Sequence, residues 1–339
     1  MDLADLVQPG DGQVSIVRTL GAAALMSATL APAAQAVEGG IGAYFLGTRD
    51  SFAGVVPPPG TYLSFSYDHL KGDVTGVSIG GLPIRADSEV TVDLLRLGIT
   101  HSFDADVLGG QPALNLTVPI LDVGLGFTAI TPPLAGSRID DSTSGVGDII
   151  FTPMVGWNRG KLNYSAALSV YAPTGNYDTA TIDVPNRSID ALSNGKNVWS
   201  FQPVFAATWF NPQSGLELSG TASMLFSTRN KATDYQTAPA VQLEAAVLQH
   251  TKSGWAFGVT GYHYEQIRDD SGSGAVGTRA ALGARSLRAK VSGAGPIITY
   301  SGVSLFGGQA SFELKYTSEF NAKRRFESDI LSLNMSVSF

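Results

Sequence analysis

The chain has no cysteine among its 339 residues, which excludes disulfides, thiolate nucleophiles and Cys-ligated zinc. Charge is scarce as well. Asp, Glu, Lys and Arg together make up 15%, against about 25% in ordinary soluble domains. Long apolar runs are missing too. The uncharged stretch between Arg18 and Glu38 is rich in Ala, Ser and Thr and holds Pro32. A bundle of membrane helices, each needing about 20 predominantly apolar residues, is therefore excluded. The net charge of −7 and pI of about 5.1 come without a polybasic run, so nucleic acid is not an expected partner.

What is present points one way. Apolar residues reach 44% and glycine 39 of 339, yet the mean hydropathy is only +0.10. A transmembrane β-barrel reconciles these values, because its strands alternate lipid-facing and lumen-facing residues and average out near neutral.

Residues 1–36 read as an export signal. Arg18 precedes a small-apolar run, Pro32 breaks it, and Ala34-Gln35-Ala36 is an A-x-A cleavage site. Residues 37–59 show no strand alternation. They carry five glycines, Tyr44, Phe45 and Phe52, and end in Pro57-Pro58-Pro59. Aromatics would be wasted on a free tail, so this segment is expected to enter the barrel from the periplasmic side as a plug. Arg49 and Asp50 would then meet lumen charges such as Glu244, Glu313 or Lys315.

From Gly60 onward the period is two, not 3.6. Twelve strands are predicted near 60–70, 89–103, 112–126, 146–158, 161–172, 197–210, 215–228, 238–250, 254–266, 288–301, 306–320 and 327–339. Short turns follow the even-numbered strands, and longer polar segments follow the odd-numbered ones. That sorting predicts an all-β, antiparallel transmembrane barrel over 60–339, with periplasmic turns and extracellular loops. No helical segment is expected there. Pro203 suggests a bulge in the sixth strand, because proline cannot donate to the ladder. Asp93, out of phase with Arg96, suggests that the second strand starts with a bulge or a loop end. The final strand alternates Leu331, Leu333, Met335, Val337 and Phe339 with Ser332, Asn334, Ser336 and Ser338. It resembles the C-terminal signature read by the barrel assembly machinery, with Phe339 as the assembly signal.

Strand parity assigns Asp68, Arg96, Asp148, Tyr171, Glu217, Glu244, Tyr262, Tyr264, Arg288, Lys290, Tyr300, Glu313 and Lys315 to the lumen, as a candidate solute path. A twelve-strand barrel has a backbone diameter of about 24 Å, leaving room for a small, partly apolar solute. Catalytic motifs do not stand out. The four histidines lie in no H-x-S arrangement, and Asp68 and His69 point to opposite faces of one strand. No G-x-S-x-G, H-E-x-x-H or phosphate-loop pattern occurs. No enzyme, cofactor or metal is predicted.

Several short motifs, in order along the mature chain, carry a resemblance. They are Glu38-Gly39-Gly40, Pro57-Pro58-Pro59-Gly60-Thr61-Tyr62, Gly145-Val146-Gly147-Asp148 with Pro153 and Trp157, Ala172-Pro173-Thr174-Gly175-Asn176-Tyr177, Gly261-Tyr262-His263-Tyr264-Glu265-Gln266 and Ala294-Gly295-Pro296. Together they resemble the outer-membrane proteins associated with the meta-pathway of phenol degradation. The resemblance departs around Ser227–Thr237, where Asn230 and Tyr235 bracket an altered spacing. It implies a channel in the outer membrane of a Gram-negative bacterium, used for uptake of small hydrophobic or aromatic compounds. Expected partners are such a solute, outer-membrane lipid and lipopolysaccharide, and the assembly machinery. A structural or surface-interaction barrel without a transport role is the alternative.

Overall fold

The computed structural model describes residues 42–339, apart from 75–76, 80–81, 85–87, 129–133, 135, 184, 187 and 306. The predicted export signal lies outside the described residues.

The strands are β1 (Gly60–Val74), β2 (Val77–Ile79), β3 (Leu82–Ile84), β4 (Ser88–Ser102), β5 (Gln111–Thr128), β6 (Arg138–Val146), β7 (Ile149–Arg159), β8 (Leu162–Ala172), β9 (Thr181–Asp183) and β10 (Ser188–Asp190). They continue with β11 (Ser200–Asn211), β12 (Leu216–Ser227), β13 (Ala240–His250), β14 (Trp255–Gln266), β15 (Lys290–Leu305), β16 (Gly308–Lys323) and β17 (Glu327–Ser338). All wall pairings are antiparallel between sequence neighbours, and β1 pairs with β17 to close the ring. Closure removes every open edge, so the backbone is satisfied within the wall, as a lipid environment demands. β6 and β7 are two halves of one wall strand. β6 pairs with the upper part of β5 and β7 with its lower part. The pairing sum slips by one residue at Gly147-Asp148, where Gly147 N–H still reaches the Pro119 carbonyl at 2.9 Å. This is a bulge. Counting β6 and β7 as one, the barrel has twelve strands, as predicted.

Alternation sets the two faces. Leu63, Phe65, Leu116, Phe151, Phe205, Leu243, Val259 and Leu333 are exposed to the outside, the apolar belt a membrane requires. The Trp255 ring lies tilted against Tyr300 at 4.6 Å, and Trp157 stacks on Tyr164 at 5.3 Å, near the periplasmic turns. Trp199 stands exposed at the other end of β11.

Several local expectations need correction. Pro203 makes no bulge: β11 keeps one register with β8 from Ser200 to Trp209. Because proline's missing donor falls within a pairing otherwise held on both sides, the ladder absorbs it. Asp93 is not at an irregularity either, since β4 is regular against β1 and β5. It faces outward and is held by the Tyr67 hydroxyl (2.5 Å) and His69 Nδ1 (2.8 Å). The loops also contain structure. β6 lies in the expected 128–145 loop. β2–β3 and β9–β10 form small hairpins. A helix, α1 (Ser273–Ala281), sits in the loop after β14.

Candidate functional site

Residues 42–59 pass inside the ring. Tyr44 and Leu46 are buried in a cluster with Tyr171, Leu225, Tyr262 and Tyr264. Lower down, the segment is tied by hydrogen bonds to inward-facing side chains of five wall strands. Arg49 N–H donates to Glu244 (2.9 Å), and Arg49 Nη2 to Ser169 (2.8 Å). Ser51 Oγ and Phe52 N–H both donate to Glu217, at 3.1 and 2.6 Å. Gly54 N–H donates to Thr208 Oγ1 (3.0 Å). Lys315 Nζ donates to the Gly47 carbonyl and to Asp50 Oδ2, each at 2.5 Å, and lies 3.5 Å from Glu313. The segment leaves at the periplasmic rim, where Ser102 donates to the Pro57 carbonyl (2.7 Å) and Tyr62 to that of Pro58 (2.9 Å).

The fit depends on Gly54. A Cβ there would lie 2.6 Å from Thr208 N and 2.7 Å from Ala207 Cα, so only glycine lets the segment come this close to the β11 backbone.

Most of the residues assigned to the lumen converge there. Asp68 is buried and holds Arg96 Nη2 at 2.7 Å. Glu217 is also bound by His250 Nε2 at 2.6 Å. Tyr171 donates to Gln202 (2.7 Å), which donates to Ser223 and Gln242. Tyr262 donates to Glu319 (2.8 Å). Asp148 sits at the wall bulge and accepts N–H groups from Gly175 and Lys196.

Arg288, Lys290 and Tyr300 do not belong to the lumen. Val291 and Ile297 are the buried residues of β15, and Ile297 pairs with the inward Lys315 while Tyr300 pairs with the outward Phe312. Arg288 is instead exposed and bonded to Glu265 (3.1 Å). The misassignment arose because β15 puts glycine on its inner face and Ala294 and Pro296 on its outer one. Gly293 leaves space for the Tyr262 ring: a Cβ there would lie 2.4 Å from it. A polar-looking outer face and a glycine-rich inner one reverse the parity that alternation suggests.

A cavity of about 290 Å³ lies between the segment and the wall of β4, β5, β7 and β8. One side is apolar, formed by Val92, Leu94, Leu121, Val123, Ile150 and Phe45. The other is polar, formed by Arg49, Arg96, Asn115, Thr117, Thr152, Ser169 and Tyr171. Residues 191–196 of the loop after β8 close it from the extracellular side together with Tyr177. Above it, Leu70, Val90, Leu125, Phe127, Ile139, Ile189 and Phe326 pack into an apolar cluster. The loop residues were missed by sequence reading, because nothing in a polar loop tells that it folds back onto a lumen. Ser169, Gln202 and Gln242 carried a usable signal: each is polar and in inward phase.

The extracellular loops are tied to one another. Asp234 accepts both the backbone N–H (3.0 Å) and the hydroxyl (2.7 Å) of Ser273, and pairs with Arg229 at 2.8 Å. It caps the start of α1, whose own N-cap, Gly272, offers no side chain. The Ser273 hydroxyl, its N–H and Arg229 together hold the Asp234 carboxyl down to about 2. Among the described residues, no group of three or more His, Asp or Glu is placed to hold a metal ion.

A closed ring with an apolar outer belt and a polar, occupied interior defines an outer-membrane β-barrel of the channel and porin type. Residues 71–335 match the family described as "Putative MetA-pathway of phenol degradation", and the chain belongs to that family. No protein of curated function matches it. Among solved structures, it is similar to the COG4313 outer membrane channel from Pseudomonas putida F1, with 15% identity over 85% of this chain and 98% of that one, at a TM-score of 0.63. At that identity the likeness is one of fold. Looser likenesses include the translocator domain of the autotransporter NalP from Neisseria meningitidis (11% identity, 95% and 98% covered, TM-score 0.42) and a FadL homologue of Pseudomonas aeruginosa (10%, 82% and 88%, 0.36).

Proposed function

We propose that this barrel lets small hydrophobic or aromatic compounds diffuse across the outer membrane, without chemistry, and that residues 37–59 act as its plug. The observation that carries this reading is the cavity beside the segment. Inside the ring it offers a half-apolar surface of a size suited to a small ligand. A purely structural barrel gains nothing from keeping that space, since filling it would add packing. Family membership agrees with the solute class. The lumen residues Asp68, Arg96, Asp148, Tyr171, Glu217, Glu244, Tyr262, Tyr264, Glu313 and Lys315 then divide in role. Glu217, Glu244 and Lys315 hold the segment, while Arg96, Asp148 and Tyr171 line the solute path. Residues 1–36 serve as the export signal and Phe339 as the assembly signal.

Proteoliposome swelling tests the reading. Phenyl β-D-glucoside, an aromatic solute that a bare bilayer holds back, should enter far faster than sucrose, and only when the protein is present. Equal exclusion of both would leave the structural or surface-interaction barrel.

A further inference from the structure

A cation that lines the cavity, Arg49, has an unused donor, and it belongs to the segment, not to the wall. Arg49 lies over the Tyr44 ring at 4.9 Å and gives Nη2 to Ser169. Its Nη1 is buried without a hydrogen-bond partner. Leaving such a donor unmet costs more than an ordinary hydrogen bond contributes, and more again when it is charged, so a buried group of this kind calls for a reason. Glu244 accepts the backbone N–H of Arg49 and makes no hydrogen bond with Nη1.

Among the side chains that line the cavity, cations outnumber carboxylates. Arg49, Arg96 and Lys196 line it, with Asp148 as the lining carboxylate. Asp148 turns its oxygens to the N–H groups of Gly175 and Lys196. Arg96 is already engaged by Asp68, which leaves Arg49 as the guanidinium with capacity. Across the space stand Val92, Leu94 and Leu121.

We propose that this cavity binds a small aromatic carboxylate, its oxygens on the Arg49 guanidinium and its ring against that apolar wall. The proposal rests on the reading of the lumen as a solute path, and it names the solute's charge. Guanidinium is the side chain suited to the task, since its fork matches a carboxylate's two oxygens. The recognition group would thus ride on the segment that occupies the barrel.

Calorimetric titration of the purified full-length protein with benzoate and its neutral isostere benzamide tests this. Benzoate should bind at least tenfold more tightly than benzamide. Arg49→Gln should abolish that preference, and Arg49→Lys should keep part of it. Equal affinities, or a preference that survives Arg49→Gln, would overturn the proposal; a site holding water alone would give that result. If Arg49→Gln releases the segment, seen as lost amide protection at Phe52, Ser169→Ala decides. It removes the acceptor on Nη2 and frees both nitrogens, so benzoate should tighten at least threefold. Unchanged or weaker binding would overturn the proposal. Failure here with phenyl β-D-glucoside still entering liposomes through the protein leaves the channel reading intact. Benzoate binding that depends on Arg49, with no aromatic permeation, would support the site and sink the channel.

Discussion

Lys315→Met should undock the inner segment while leaving the barrel closed. Lys315 is 4% exposed on its side chain and joins Asp50, itself 7% exposed, to the Gly47 carbonyl and to Glu313. Methionine fills similar space, so the change removes charge more than volume. It leaves the Asp50 carboxylate inside the ring with the Ser51 N–H as its hydrogen bond. Removing one partner of a buried ion pair costs about 3–5 kcal/mol. Undocking relieves that cost, because the carboxylate regains water. The remaining ties to Glu244, Ser169, Glu217 and Thr208 each contribute about 1 kcal/mol net, so the penalty is comparable to their sum. The docked fraction relative to the undocked one should fall about 10²- to 10⁴-fold. Amide exchange at Arg49 and Phe52, whose N–H groups bond Glu244 and Glu217, would report this directly. Single-channel conductance in planar bilayers should rise. The Asp50→Asn, Lys315→Met double variant should recover much of the protection, since no buried charge is stranded between the two positions. Unchanged exchange in Lys315→Met would refute the electrostatic account of docking. Faster exchange in Lys315→Met with unchanged conductance would refute the role as a plug.

Gly54→Val should push the lower segment off β11, since its Cβ would collide with backbone atoms that cannot move; faster exchange at residues 52–56 and higher conductance are expected, whereas Gly220→Val, whose Cβ meets its nearest atom at 3.8 Å, should leave both unchanged. Deleting Phe339 should lower outer-membrane levels in cells yet change the refolded barrel by about 1 kcal/mol or less, because its side chain is 58% exposed and its N–H makes one bond, to Thr61 at 3.0 Å; normal levels in cells would remove its role in assembly. Asp234 gives a pH dependence. Its carboxyl is held below the ordinary carboxylate range, at about 2, so the cap on α1 is fully present above about pH 4 and is lost as pH falls towards 2. Relative to an unfolded reference peptide cut in the same tube, pepsin should therefore cut within residues 267–289 faster at pH 2 than at pH 4, and Asp234→Asn should show the same relative rate at both.

Much of this architecture was decided by local sequence. Period-two alternation with an apolar outer phase fixes the strands, as in β17 with Leu331, Leu333 and Met335. The sorting of short and long connections fixes which end faces the periplasm. The position of Glu244 and Glu217 in inward phase, and the aromatic, glycine-rich stretch before Pro57, were also readable. These features depend on one strand at a time, and lipid imposes the same rule on every strand.

Other features depend on what sits opposite. β15 turns Gly293 inward because the Tyr262 ring occupies the space it leaves, a fact carried by β14 and not by β15. Asp93 can face outward because Tyr67 and His69 lie beside it on the neighbouring strand. The pairing of Asp50 with Lys315, across 265 residues, was one of several open choices until the ring closed. The cavity is further still from the sequence. Its walls come from four strands, the inner segment and residues 191–196, and its polar end depends on where one guanidinium points. Strand phase follows from backbone geometry that each residue carries itself, whereas a cavity is the space left after separate parts have packed, and only the tertiary structure defines it.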